Sequence, residues 1–161
     1  MVDLHLKLKE KFPEAITETH NHRGDETAVV EREAIVEVLL FVKNDSAFDL
    51  NMLMDLTAVD GLEMKWAPRF EVVYHLYSIA KNHRLRLKVK VDEKNAAMPS
   101  VVDLWPVADW FEREVWDMFG IRFEGHPNLK RILMYEGFSG HPLRKDYPYN
   151  KRQPLIGPRN A

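Results

Sequence analysis

The chain has 161 residues, 45% hydrophobic and 30% charged, with a net charge of −2 and no cysteine. This composition is that of one globular domain with a core of its own, and it excludes disordered, collagen-like and low-complexity classes. Without thiols there is no disulfide framework, no thiolate nucleophile, no cysteine-based zinc site and no iron–sulfur cluster held on this chain's own sulfurs.

In chain order, Leu4, Leu8 and Phe12 recur every four residues and predict a helix stopped by Pro13. Short strands near Ala15–Thr19 and Thr27–Glu31 flank a turn-rich stretch at Asn21–Asp25. Ile35, Val38, Leu39 and Val42 have the spacing of an amphipathic helix ending near Asn44. The longest apolar run, Val38 to Val42, lies inside it and is five residues long, against about 20 needed to cross a bilayer. Met1–Phe12 shows no signal-peptide pattern, so a cytoplasmic protein is expected. Asp49–Asp60 reads as a short helix or a strand, and Asp60-Gly61 as a turn ahead of a hairpin. Phe70–Ile79 is apolar on both faces and predicts a central strand covered on both sides. Arg84–Val91 alternates basic and aliphatic residues, which predicts a half-buried neighbour with a solvated basic face. After one helical turn to Trp105, Pro106 opens a helix whose core face is read as Val107, Phe111, Val115 and Met118, with Gly120 as its stop. On that wheel Trp116 lies opposite Phe111 and is left for solvent or a partner.

Beyond Gly120 the periodicity fades, and residues 121–161 hold five of the nine prolines and four of the seven glycines. Charge divides at the same place: Met1–Ile121 carries 15 basic and 22 acidic residues, and Arg122–Ala161 carries 8 and 3. The expected architecture is therefore α+β, a mixed and mainly antiparallel sheet packed by helices over residues 1–120. Residues 121–161 are expected to form an extended, basic, Pro/Gly-rich, partner-binding segment of the same domain, with too little apolar surface in 143–161 for that stretch to order itself.

Catalytic patterns are scarce. No serine sits in a Gly-x-Ser-x-Gly elbow, and neither phosphate-loop nor dinucleotide fingerprints occur. His20 and His22, two apart, are a weak metal candidate. Glu112, Glu114 and Asp117 could work as an acid/base set, but a charged outer helix face accounts for them equally well. The echo Gly125-His126-Pro127 and Gly140-His141-Pro142 turns the chain sharply and then runs it straight, geometry suited to a segment laid along a surface.

These residues also form a pattern. Glu112-Arg113-Glu114-Val115-Trp116-Asp117-Met118-Phe119-Gly120-Ile121, Gly125-His126-Pro127, Lys130-Arg131-Ile132-Leu133 and Gly140-His141-Pro142-Leu143-Arg144-Lys145-Asp146-Tyr147-Pro148 closely resemble the signature of the thirty-kilodalton, C-type subunit of proton-pumping NADH:quinone oxidoreductase, respiratory complex I. The likeness extends upstream through Asp55–Asp60 and Arg69–Leu76. It implies a structural subunit of the hydrophilic arm, peripheral on the cytoplasmic side of the membrane and inactive alone. No cofactor would be on this chain, with NADH, FMN, iron–sulfur clusters and quinone held by partners. Those partners would be subunits of the D, B and I types, with no nucleic acid and with membrane association only through the complex. Some relatives are fused to the D-type subunit, whereas this chain ends at Ala161, so non-covalent binding is expected. The alternatives are a nucleic-acid-binding module using the basic tail and Arg84, Arg86, Lys88 and Lys90, the equivalent subunit of a related membrane-bound hydrogenase, and a carboxylate-based hydrolase.

Overall fold

A computed structural model describes residues 3–154. The first apolar repeat forms α1, Leu4–Lys11, with Leu4 and Leu8 buried. It is followed by a hairpin of β1, Ile16–His22, and β2, Asp25–Val30. The amphipathic stretch forms α2, Ile35–Asn44, burying Ile35, Val38, Leu39 and Val42. The ambiguous 49–60 stretch is a strand, β3, Met52–Asp60, which pairs antiparallel with β4, Phe70–Ser78. β5, His83–Val91, lies antiparallel to β4 and parallel to β2. The sheet order is β1-β2-β5-β4-β3. One parallel contact among antiparallel ones makes this the mixed, mainly antiparallel sheet expected of an α+β chain.

Alternation decides which face is buried. Phe70, Val72, Tyr74 and Leu76 of β4 stand opposite Val91, Val89, Leu87 and Leu85 of β5, and all eight join the core with residues of the three helices. β4 is interior, but only this face is packed by helices. Its other face carries Glu71, Val73, His75 and Tyr77, and the buried Val73 lies outside the main core. The long side chains of the neighbouring strand cover it instead, with Lys88 opposite Val73 and paired with Glu71, so no residue of β4 is exposed and the strand is covered on both sides, as expected.

The helix after Pro106 is α3, Ala108–Phe119, and Gly120 follows it in the left-handed conformation at φ 77°. Its inward stripe differs from the one read on the wheel. Val107 is 42% exposed and Phe111 only half-buried, whereas Ala108, Glu112, Val115, Met118 and Phe119 are buried. The stripe is turned by about one residue because Glu112 finds polar partners inside, which a wheel that sends charges outward cannot foresee. Trp116 is half-buried rather than fully outward. A short parallel pair, β6 (Ala97–Pro99) and β7 (Arg122–Glu124), leaves no periodicity in the sequence and lies beside α3. After β7 the chain has no regular elements among the described residues, yet 143–154 is held in place by polar anchors. Those anchors lie at residues 143–147 and at Gln153, and they are polar, so an expectation built on apolar content does not include them; residues 155–161 lie outside the described part.

Candidate functional site

The site is built on the last turns of α3. A helix leaves its final four carbonyls without intrahelical donors. Here Gly120 N–H donates to Trp116 O at 2.8 Å, His141 Nδ1 to Asp117 O at 3.0 Å, Leu143 N–H to Met118 O at 3.1 Å and Arg144 Nε to Phe119 O at 2.5 Å. Three of these four caps come from the second Gly-His-Pro segment, and two cationic guanidiniums, Arg144 and Arg131, sit at the negative end of the helix dipole. Gly120 makes this possible. A Cβ there would stand 2.6 Å from Nε2 of His141, so only glycine leaves room for the ring. Burial, and after it the nearby Arg144 and Arg131, lower the His141 pKa, which keeps the ring neutral with its proton on Nδ1 facing the carbonyl.

Asp117, on the same turn, is fully buried. Its Oδ2 accepts the successive backbone N–H groups of Ile132, Leu133 and Met134 at 3.1, 2.9 and 2.8 Å, and its Oδ1 accepts Arg131 Nη1 at 2.5 Å. Burial pushes its pKa up, but the three N–H groups and Arg131 outweigh that and hold it below the ordinary carboxylate range. Arg131 also donates to Gly140 O at 3.1 Å and lies 5.7 Å from the ring centres of both Trp116 and Phe138. Arg113 donates to the carbonyls of Lys130 and Arg131 at 3.0 and 3.1 Å. One carboxylate and two arginines thus fold the 130–134 loop onto the helix.

A second anchor ties the tail to the sheet. Arg69, 7% exposed, meets Asp60 at two points, Nε to Oδ1 at 2.9 Å and Nη2 to Oδ2 at 2.7 Å. It also reaches Asp146 Oδ1 at 2.7 Å and Glu93 Oε1 at 2.6 Å. Asp60 further accepts the backbone N–H groups of Lys145 and Leu62. Tyr147 stacks on Phe138, its hydroxyl accepts from Gln153, and it fills the space over Gly140, where a Cβ would lie 2.8 Å from its ring.

The three carboxylates of the helix have separate fates. Glu114 is exposed. Glu112 is fully buried beneath the Ser100 hydroxyl and the Val101 N–H, both 2.7 Å away. Burial pushes its pKa up to about 7 from 4.5, with a smaller contribution from Asp109, against the pull of those two donors. Close to it the buried Tyr74 hydroxyl has no hydrogen-bond partner among the described residues. Because the folded pKa is raised, the unfolded chain ionises first as pH climbs from 4.5, and stability falls until about pH 7, where the folded form ionises too. The stability of Glu112→Gln relative to the parent is therefore expected to rise by about 3 kcal/mol between acid and mildly alkaline urea melts. A difference independent of pH would show that Glu112 is ionised normally in the fold.

Of the remaining sequence candidates, His126 sits away from the hub, its Nε2 3.2 Å from Asp109 O and its Nδ1 accepting from Asn128 N–H. Lys130 joins through its carbonyl and Lys145 through its N–H, and both amines are exposed. No group of three or more His, Asp or Glu side chains among the described residues could hold a metal, and His20 and His22 lie exposed on β1. Nor is the basic face of β5 free. Arg86 pairs with Asp25, Lys88 with Glu71 and Lys90 with Glu18, while Arg84 lies over the Tyr77 ring.

Residues 28–153, which include all of these anchors, match the family described as respiratory-chain NADH dehydrogenase, 30 Kd subunit. The chain belongs to that family. Among its 30 Kd relatives, the C-type subunit of the NADH-quinone oxidoreductase of Caulobacter vibrioides is 54% identical over 125 residues, 78% of this chain and 62% of that one. The corresponding C-type subunit of Citrifermentans bemidjiense is 47% identical over 154 residues, covering 94% and 93%. A solved structure of Nqo5, a trypsin-resistant fragment, superposes with a TM-score of 0.70 at 34% identity, over 80% of this chain and 100% of the fragment. The membrane-bound sulfane sulfur reductase, an archaeal respiratory membrane complex, contains a chain with the same fold, at TM-score 0.73 and 24% identity over 99% of this chain and 96% of that one. No described helix of this 30 Kd family member is long and apolar enough to cross a membrane.

Sequence reasoning read Gly120 as a helix stop and Asp60 as part of a turn, and gave no anchoring role to either, nor to Arg69, Glu93 or Ser100. The hairpin was the available signal for the pairing of Arg69 with Asp60: Asp60 stands opposite Phe70 in the register, which brings Arg69 alongside.

Proposed function

We propose that this chain is a cofactor-free structural subunit of complex I, in the hydrophilic arm on the cytoplasmic side of the membrane and bound to the membrane only through the complex. In this reading it braces D-, B- and I-type neighbours that form the quinone site during electron transfer coupled to proton pumping, and those partners hold the NADH, FMN, iron–sulfur clusters and quinone. One observation carries the proposal: six polar residues of the motif fix the chain's own loops and C-terminal segment on α3 and the sheet. They do not converge on an open reaction cavity. Arg113, Asp117, Arg131, His141, Arg144 and Asp146 all hold backbone or side chains of this chain. The absence of cysteine agrees with clusters being held elsewhere. The nucleic-acid alternative is disfavoured on β5, because three of its four cations, Arg86, Lys88 and Lys90, are already paired with carboxylates and so release few counterions on binding a polyanion.

The test is purification from the native membrane on a tag carried by this chain. It is expected to bring down NADH:quinone oxidoreductase activity with flavin- and cluster-bearing subunits, and the chain purified alone is expected to carry no flavin, metal or NADH oxidation. Recovery with nucleic acid, or stoichiometric flavin on the isolated chain, would overturn the proposal.

A further inference from the structure

Two grooves flank the chain where residues 140–145 cross the end of α3. One, of about 450 Å³, is walled by Trp116, Met134 and Gly137, with Lys130, Arg131 and Glu136 on its rim. The other, of about 440 Å³, is walled by Val59, Met64, Phe119 and Leu143, with Lys145 and Glu63 on its rim. Large apolar side chains stand open around both: Leu62 is 41% exposed, Met64 54%, Leu133 56% and Leu143 50%. Single exposed leucines are ordinary, but a set gathered on both sides of one extended segment marks a contact surface.

The charges around the grooves are uneven in a useful way. Among the described residues the Lys130 and Lys145 amines and the Arg152 guanidinium have no ionic or hydrogen-bonding partner, and Lys151 has only the Tyr147 ring. The nearby Asp146 and Glu93 are already engaged by Arg69. On the β5 face, by contrast, three of the four cations are paired with carboxylates. Unsatisfied cations beside open aliphatic walls fit a partner with carboxylates and aliphatic side chains. A phosphate backbone has no aliphatic groups with which to cover those walls.

We propose that an extended, acidic segment of a neighbouring subunit, bearing aliphatic side chains, lies along residues 140–145. It seats apolar side chains in both grooves and carboxylates against Lys130 and Lys145. This rests on the reading of the chain as a complex I subunit. The groove walls are held in advance, by Asp117 through Arg131 and by the capped end of α3, so little ordering is left to do at docking. The rim cations act chiefly on the rate of encounter and its salt dependence, and the apolar walls on how long the segment stays.

The test places p-benzoylphenylalanine at Met64 or Leu133, with Leu40 on α2 as control, in the full chain within native membranes. Irradiation is expected to link both test positions, and not the control, to one net-acidic peptide of one neighbouring subunit. In the double variant Lys130→Glu, Lys145→Glu the adduct is expected to fall several-fold and to become less sensitive to salt. A basic peptide, a second copy of this chain, lipid or nucleic acid as the linked partner overturns the inference, and so does an adduct unchanged by charge reversal. A chain present in the complex with both positions unlinked overturns this inference alone, whereas a wild-type chain absent from the complex overturns the proposed function as well.

Discussion

Asp117→Ala is expected to destabilise the purified chain by about 3 to 5 kcal/mol, the range found when one partner of a buried ion pair is removed. The substitution strips three consecutive backbone N–H groups, those of Ile132, Leu133 and Met134, of their acceptor and leaves Arg131 facing a void. The three N–H groups converge on a single oxygen, so the substitution removes the acceptor of all of them at once. Arg131→Ala should cost less, since Asp117 would keep its three N–H donors. Glu114→Ala, three residues away on the exposed side of the same helix, should stay within about 0.5 kcal/mol of the parent. The contribution of Asp117 has a defined pH dependence. Its folded pKa lies below the ordinary 3.8, so the stabilisation is present above that value and is lost as pH falls through the folded pKa. Urea melts of the three variants at neutral and acid pH decide the matter. Equal, small losses for Asp117→Ala and Glu114→Ala would mean that the carboxylate does not organise the loop.

The same residues show where sequence reading reaches and where it stops. Period and alternation located α2, β4, β5 and the end of α3 at Gly120, because burying an apolar stripe leaves its spacing in the chain. Glu112 and Asp117 leave no such trace. A carboxylate is compatible with the core only when donors reach it, and the donors of Asp117 lie 14 to 17 residues away, so the helix sequence alone cannot distinguish it from the exposed Glu114. The β6–β7 pair is three residues on each strand, too short for alternation to appear. The C-terminal segment is hard to read for a related reason. Its order comes from capping helix carbonyls and from one buried arginine, and neither requires the apolar content on which an expectation of disorder rests. The Gly-His-Pro echo is visible, yet its two copies differ in what they do: His141 enters the notch above Gly120, while His126 packs beside Asp109.

Arg69→Ala is expected to be as damaging as the loss of Asp117, about 3 to 5 kcal/mol, and to act in two places at once. Inside, it leaves Asp60, whose side chain is fully buried, without its two-point partner. Burial works to raise the Asp60 pKa, while Arg69 and the N–H groups of Lys145 and Leu62 bring it down to about 2. Without the arginine only the two N–H groups remain to oppose burial, so the carboxyl should take up a proton at a higher pH than in the parent. The stability lost on acidification should accordingly disappear closer to neutrality. Outside, removing the guanidinium sets Asp60, Asp146 and Glu93 around an empty space, and their repulsion should lift residues 145–146 from the sheet. Trypsin should then cut the folded variant at Lys145 faster than the parent, while cleavage at Arg23, in the distant β1–β2 turn, should be unchanged. Arg69→Lys keeps the charge but cannot reach three carboxylates from one planar fork, so it should recover only part of the loss. Asp60→Asn in the Arg69→Ala background removes the stranded charge and should restore stability without restoring protection at Lys145, because Asp146 still has no partner. If stability and protection return together in that double variant, the tail is held by something other than the arginine, and the two-place argument fails.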